Sequence, residues 1–328
     1  IRSKLSLQYQ DCLVSCKMMK KYDFRGFSNY QKFKYIRLVF TNTLAMRECV
    51  GVFQFKYFFE GDRVLLVEAF KKEVQRRKEE PGFIADNQSA LKTLASMSGN
   101  CALVIGFADS DGINVYNSIA ICHQGEIIGS YRKQNLPNVE VFDEVRNFSP
   151  GSDPLNLFSI GGTSIGFVIC EDLWVPNGPV ERLVEGGAQL IVATNGSPFH
   201  QGKQQEREIL VNEIARKSEI PIAYVNLVGG QDELVFDGGS FITDSSGEIV
   251  SRLPSFYESV AVSDILVDQR KKVENFFPVI DVSPNRDHEG ELKPSIAPVL
   301  ENIEELYLAL VTATRDYVLK SGFKNVCL

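Results

Sequence analysis

Three polar residues stand at the ends of apolar runs that read as strands, or in the loops beside them: Glu68, Lys133 and Cys170. Cys170 closes the run Ser164-Ile165-Gly166-Phe167-Val168-Ile169 and is followed by Glu171, Asp172, Leu173 and Trp174. A thiol attacks well only as its thiolate, which calls for a base or a cation close by. A carboxylate can take the thiol proton, and a lysine can stabilise the oxyanion of a tetrahedral intermediate. No histidine is placed for that work. His123 falls in a hairpin turn, His200 in the loop after Ser197-Pro198, and His288 in a proline-rich stretch. Most free cysteines are simply small buried hydrophobes. Here the neighbouring carboxylates and the strand-end position argue for acyl-transfer chemistry instead.

The elements that must carry these residues alternate between strand and helix. Strands are expected at 36–40, 64–67 (ending at Glu68), 102–107, 164–169, 190–193 and 222–226. Residues 45–59 read as helix or strand, and the charged segment 71–80 as a solvated face. Pro81 opens a helix through Ile84, Leu91 and Leu94 with Gly99 beyond its end. A hairpin is expected around His123-Gln124-Gly125, and Lys133 lies in the loop 131–138 that follows it. Beyond Cys170 come a helix through Val180, Leu183 and Val184, the loop Asn195-Gly196-Ser197-Pro198, and a long helix to Lys217. A loop at 229–233 and a hairpin ending at Gly247 complete the pattern. The result is a layered α/β domain carrying antiparallel pairs. Cys170 then sits at the carboxyl end of a strand, where such folds keep their sites, with turn amides available to an oxyanion.

Bulk properties narrow the class further. The 328 residues are 44% apolar and 23% charged, an ordinary globular composition, and the net charge of -7 argues against a nucleic-acid partner. No apolar run is long enough for a membrane span. Seven cysteines, at 12, 16, 49, 101, 122, 170 and 327, form neither a disulfide framework nor a zinc pattern, and with three histidines no metal site is expected. This is the composition of a reduced, cytoplasmic enzyme. Residues 1–35 show no sustained period and are expected to be a disordered or non-native extension. Residues 265–300, with four prolines among charges, read as a linker. Ile303, Leu306, Tyr307, Leu310, Val311, Thr314, Tyr317 and Val318 trace one apolar helix face closed by Gly322.

Five segments carry a family resemblance: Lys133-Gln134-Asn135-Leu136-Pro137-Asn138, Val141-Phe142-Asp143-Glu144, Cys170 to Trp174, Asn195 to Phe199, and Val225 to Ser240. The chain is similar to the carbon–nitrogen hydrolases of the nitrilase superfamily, and among them to the glutaminase domains of glutamine-dependent NAD synthetases. The likeness is dense over 81–260 and looser to 328. It implies an α-β-β-α sandwich, with the hydrolase domain at 36–264 and the start of a truncated synthetase domain at 301–328.

The resemblance also implies roles. Cys170 is the nucleophile, Lys133 the electrostatic partner of the intermediate, and Glu144 a second acidic residue shaping the site. The amide of Glu171 is the second oxyanion donor, while Ser197 and Lys203 match positions that hold glutamine. A third such position, usually Tyr, is Val139 here. The family's general base lies in a Phe-Pro-Glu-Leu motif that this chain lacks. Glu68, at the end of Asp62-Arg63-Val64-Leu65-Leu66-Val67, is the candidate, Glu60 the second, and a chain with no working base a third possibility. L-glutamine is the implied substrate and no cofactor is implied for this chain. ATP, Mg2+ and deamido-NAD belong to the synthetase domain, and a homo-oligomer is implied. Two rival readings are an amidase acting on another small amide and a catalytically impaired scaffold.

Overall fold

In a computed structural model the chain is described at residues 33–42, 63–67, 82–138, 141–231, 233–268, 277–284, 292 and 295–327, the first two segments as backbone alone. All fall within one unit, residues 32–286 with 292–328. Glu60, Glu68, Pro81 and Val139 lie outside the described residues, as do the segments 45–59 and 71–80 and residues 1–32.

The core follows from period-two alternation. In β3 (Ala102–Ser110) and β4 (Val115–His123), Ala102, Val104, Ile119 and Ile121 enter one apolar cluster, while Leu103, Ile105, Ala120 and Cys122 enter another. The second cluster is closed by Leu91 and Ala95 of α1 (Phe83–Ala95). The first is the interior of a sandwich. Its far wall includes Ile165, Phe167 and Ile169 of β7 (Thr163–Ile169), and Phe167 meets Phe158 edge to face at 5.5 Å.

One wall is a six-stranded sheet in the order β14 (Ser259–Asp268), β1 (Phe33–Asn42), β2 (Arg63–Val67), β3, β4 and β5 (Glu126–Arg132). The other has seven strands: β13 (Ile249–Arg252), β12 (Phe241–Thr243), β9 (Ile222–Asn226), β8 (Leu190–Asn195), β7, β6 (Leu157–Ile160) and β15 (Val279–Asp281). Parallel pairing runs through β1, β2 and β3 in one sheet and through β7, β8 and β9 in the other. Outside the second sheet lie α2 (Pro179–Glu185) and α3 (Lys203–Ser218). Gly166 is required beneath α2, since a Cβ there would come within 2.7 Å of Ile191 and 3.1 Å of Leu183. The layers are helix, sheet, sheet, helix, as expected.

Several local expectations are corrected. His123 is the last residue of β4 and buried, and the turn is Gln124-Gly125, whose φ values of 51° and 88° suit a tight hairpin. Gly229 to Gln231 are not loop but strand β10 (Val228–Gln231), paired with β11 (Leu234–Asp237). Gly247 sits in the turn between β12 and β13 rather than ending the hairpin. The stretch 265–300, expected as a linker, holds the end of one strand and the whole of another. Residues 265–268 finish β14 against β1, and β15 pairs with β6.

The helix α4 (Asn302–Lys320) packs on the β10–β11 hairpin with its polar side inward. Glu305, Ala309, Thr312 and Asp316 are buried, whereas Ile303, Tyr307, Leu310 and Tyr317 are exposed. Asp316 accepts from the Gly230 amide at 2.7 Å and Lys320 donates to the Gly230 carbonyl at 2.6 Å. A hairpin rich in glycine offers backbone polar groups to its neighbour, and a polar helix face satisfies them. Among the described residues, no helix is long and apolar enough to cross a membrane.

Candidate active site

At the end of β7 the chain turns sharply. Cys170 has φ 47°, in the left-handed region that non-glycine residues rarely occupy, and opens a single 3-10 turn, Cys170–Leu173. This elbow lifts the thiol off the strand axis at the carboxyl edge of the sheet. Asp172, two residues on, pins the turn. One of its oxygens accepts from the Tyr131 hydroxyl at 2.7 Å and from the Ile169 amide at 3.3 Å. The other accepts from the amides of Gln134 (3.2 Å) and Asn135 (2.7 Å) and from the Asn135 side chain (2.9 Å). The Cys170 turn and the loop after Lys133 are therefore tied through one buried carboxylate. Burial pushes the Asp172 carboxyl up, against the hydrogen bonds from Tyr131 and Asn135 that hold it down. Tyr131 is raised well above the usual phenol by burial and then by the charge of Asp172.

Lys133 follows β5 and is buried, its Nζ donating to the carboxylate of Glu144. Glu144 is buried too and also accepts from the Asn117 side chain. The backbone of Lys133 is fixed on both sides. Its amide donates to the Asn117 carbonyl at 2.8 Å, and its carbonyl accepts from Gly151 at 2.7 Å. Gly151 has no room for a side chain, since a Cβ would stand 2.6 Å from the Arg132 carbonyl oxygen.

The carboxyl of Glu171 reports what gathers around the elbow. Burial raises it. The charge of Lys133 draws it down, Asp172 and Glu144 push it up, and Lys203 draws it down again. Lys203, at the start of α3, places its Nζ 4.5 Å from the centre of the Trp174 ring and 3.0 Å from Glu206. Ser197 is buried in the loop after β8, its amide donating to Asn226 Oδ1 at 2.9 Å. Arg207 and Tyr224 both lie within electrostatic range of Cys170, and Arg207 bonds Ser197 directly.

Lys133, Glu144 and Lys203 all act on the charge of Glu171, the residue after Cys170, while Ser197 is tied to Arg207, which lies within electrostatic range of Cys170. Glu68 and Glu60 lie outside the described residues, and β2, the strand leading to Glu68, runs parallel to β3 as far as the pair Val67↔Ile105. Two polar side chains beside the site, Asp172 and Asn117, are not singled out by the sequence. Asp172 was visible as the second carboxylate after the thiol, but nothing in its spacing said that it faces five donors. Asn117 lies inside an apolar strand, where a lone polar side chain is the available signal.

The profile described as carbon-nitrogen hydrolase matches residues 85–274, and the chain belongs to that family. Its relatives include the glutamine-dependent NAD(+) synthetase of Thermotoga maritima, 39% identical over 263 residues, covering 75% of this chain and 45% of that protein. The glutamine-dependent NAD(+) synthetase of Xanthomonas campestris pv. campestris is 36% identical over 249 residues, covering 76% and 42%. The chain therefore spans less than half the length of the curated relatives it matches. A solved glutamine-dependent NAD+ synthetase from Acinetobacter baumannii superimposes with TM-score 0.71 at 30% identity, over 89% of this chain and 54% of that one. An amidase of the nitrilase superfamily from Nesterenkonia, at 21% identity and TM-score 0.58, shares the fold.

Proposed function

We propose that this chain is a glutamine amidohydrolase working through a cysteine thioester, and that it supplies ammonia to a synthetase domain. The observation that carries the reading is the Cys170 elbow beside the buried Lys133–Glu144 pair. The carboxylate of Glu68, or of Glu60 as the second candidate, takes the Cys170 proton, and the thiolate attacks the side-chain amide carbon of glutamine. Lys133 Nζ and the Glu171 amide hold the oxyanion, with Glu144 fixing Nζ in place. The base returns its proton to the nitrogen, the C–N bond breaks and ammonia leaves. Water, deprotonated by the same base, attacks the thioester. Glutamate departs and the thiol is restored.

Ser197 and Lys203 hold the amino-acid end of the substrate in this reading. The resemblance implies a Tyr at the position of Val139, and the missing ring favours a weaker grip on glutamine and makes another small amide the second reading. Residues 36–264 are proposed as the hydrolase domain and 301–328 as the lead-in to the next. No cofactor serves the hydrolase half, and ATP, Mg2+ and deamido-NAD are proposed for the synthetase half, as part of a cytoplasmic homo-oligomer. The supporting comparison is the likeness to synthetases named for glutamine dependence. Ammonia release from glutamine and from a panel of small amides, by wild type beside Glu68→Gln and Glu60→Gln, tests it. Loss in Glu68→Gln alone supports the assignment of Glu68. Faster turnover of another amide than of glutamine overturns the substrate.

A further inference from the structure

Arg207 is fully buried in α3, and none of the chemical steps above uses it. A buried charge is costly unless it is paired and fully hydrogen-bonded, and this one is. Its Nη1 donates to both carboxylate oxygens of Asp237, at 2.8 and 2.7 Å. Asp237 is itself buried at the end of β11. The remaining donors converge on one loop. Nε donates to Ser197 Oγ at 3.1 Å, and Nη2 donates to the carbonyls of Ser197 at 2.9 Å and Pro198 at 3.1 Å. A planar fork can hold a hydroxyl and two carbonyls at once, which a point-like ammonium cannot. From the other side Asn226 accepts from the Ser197 amide and donates to its carbonyl at 3.3 Å. Both the backbone and the side chain of Ser197 are thus fixed.

We propose that Arg207, anchored by Asp237, is a positioning residue that sets substrate affinity by locking the Ser197 loop, and that it takes no part in the chemistry at sulfur. The proposal rests on the reading of Ser197 as a substrate contact. Lysine at this position keeps the charge for Asp237 but gives up the fork. Asparagine at 237 keeps the shape and gives up the anchor.

The test measures glutamine turnover by the full chain as wild type, Arg207→Lys, Asp237→Asn, Ser197→Ala and the Arg207→Lys/Ser197→Ala double variant. The same panel in a Cys170→Ala background reads glutamine Kd by calorimetry, and iodoacetamide alkylation of Cys170 reads the thiol. Arg207→Lys is expected to raise KM and Kd about tenfold, the weight of one hydrogen bond to a charged group. Asp237→Asn moves them the same way, and alkylation of Cys170 keeps its wild-type rate in both. The double variant is expected to bind no more weakly than Ser197→Ala alone, because the two changes remove one path. If Ser197→Ala leaves KM and Kd unchanged, the substrate role of Ser197 falls and the proposal falls with it. If Ser197→Ala weakens binding while Arg207→Lys does not, or if the two effects simply add, the Arg207 proposal alone is overturned. A drop in kcat or in alkylation rate at unchanged KM also overturns it.

Discussion

Glu144→Gln keeps the shape of the side chain and removes the carboxylate that accepts from Lys133 Nζ. Both residues are buried, so the ammonium would lose its counter-charge where water does not replace it. Removing one partner of a buried pair costs about 3–5 kcal/mol. The amide oxygen of Gln still accepts a hydrogen bond, which places the expected loss near the low end, about 3 kcal/mol. At roughly 2 cal/mol/K of unfolding entropy per residue, a chain of this size should melt about 5 °C lower. Turnover should fall further than stability does, because Nζ leaves the place proposed for its contact with the oxyanion. One displaced oxyanion contact is worth on the order of 10²–10³ in kcat. The informative partner is the double variant Lys133→Met/Glu144→Gln. With both charges gone, stability should return to within about 1 kcal/mol of wild type while ammonia release stays lost. Urea denaturation and ammonia release on wild type, the two single variants and the double close the cycle. Stability of Glu144→Gln within about 0.5 kcal/mol of wild type, or strictly additive losses in the double, would refute the buried-pair argument.

Tyr131→Phe removes the hydroxyl that donates to Asp172 at 2.7 Å and should cost about 1.5–3 kcal/mol by urea denaturation. Gly151→Ala would press a Cβ to 2.6 Å from the Arg132 carbonyl oxygen. A loss of about 1–3 kcal/mol is expected, and since Gly151 bonds the Lys133 carbonyl, kcat should drop with it. The Glu171 carboxyl is raised from its ordinary 4.5 chiefly by burial. A raised folded pKa contributes stability that is complete below the unfolded value and is lost as pH rises through the folded one. Glu171→Gln should therefore melt above wild type at pH 7, with the gap closing as pH falls toward 4.5. Melting curves from pH 4 to 8 check the sign.

The strand leading to Cys170 is legible because β7 is buried on both faces and so reads as a continuous apolar run. The hydrolase layers were legible for the same reason. The β10–β11 hairpin was not, because Gly229 and Gly230 carry no side chains to alternate. Gly230 must be small, since a Cβ would approach Ala313 Cα and Asp316 Cβ of α4 at 3.2 Å. The helix α4 was found by its 3.6-residue period, but periodicity cannot say which face is buried when the neighbour is backbone. There Asp316 and Lys320 outweigh Leu310 and Tyr317. Strands β14 and β15 ran into a proline-rich, charged stretch whose composition hides short edge segments. At the site, Cys170 and Lys133 stood out by position. Asp172, Asn117 and Arg207 act through Tyr131, Glu144 and Ser197, which lie 41, 27 and 10 residues away in sequence, and no local spacing encodes that.

In the proposed reaction Cys170 carries the acyl group of glutamine. The direct measurement is acid quench of the chain turning over glutamine, followed by mass spectrometry of its cysteine peptides. A glutamyl adduct on the Cys170 peptide, with neither adduct nor ammonia release in Cys170→Ala, is the predicted result. Ammonia release that survives Cys170→Ala, or an adduct on Cys101, Cys122 or Cys327 in place of Cys170, would contradict it.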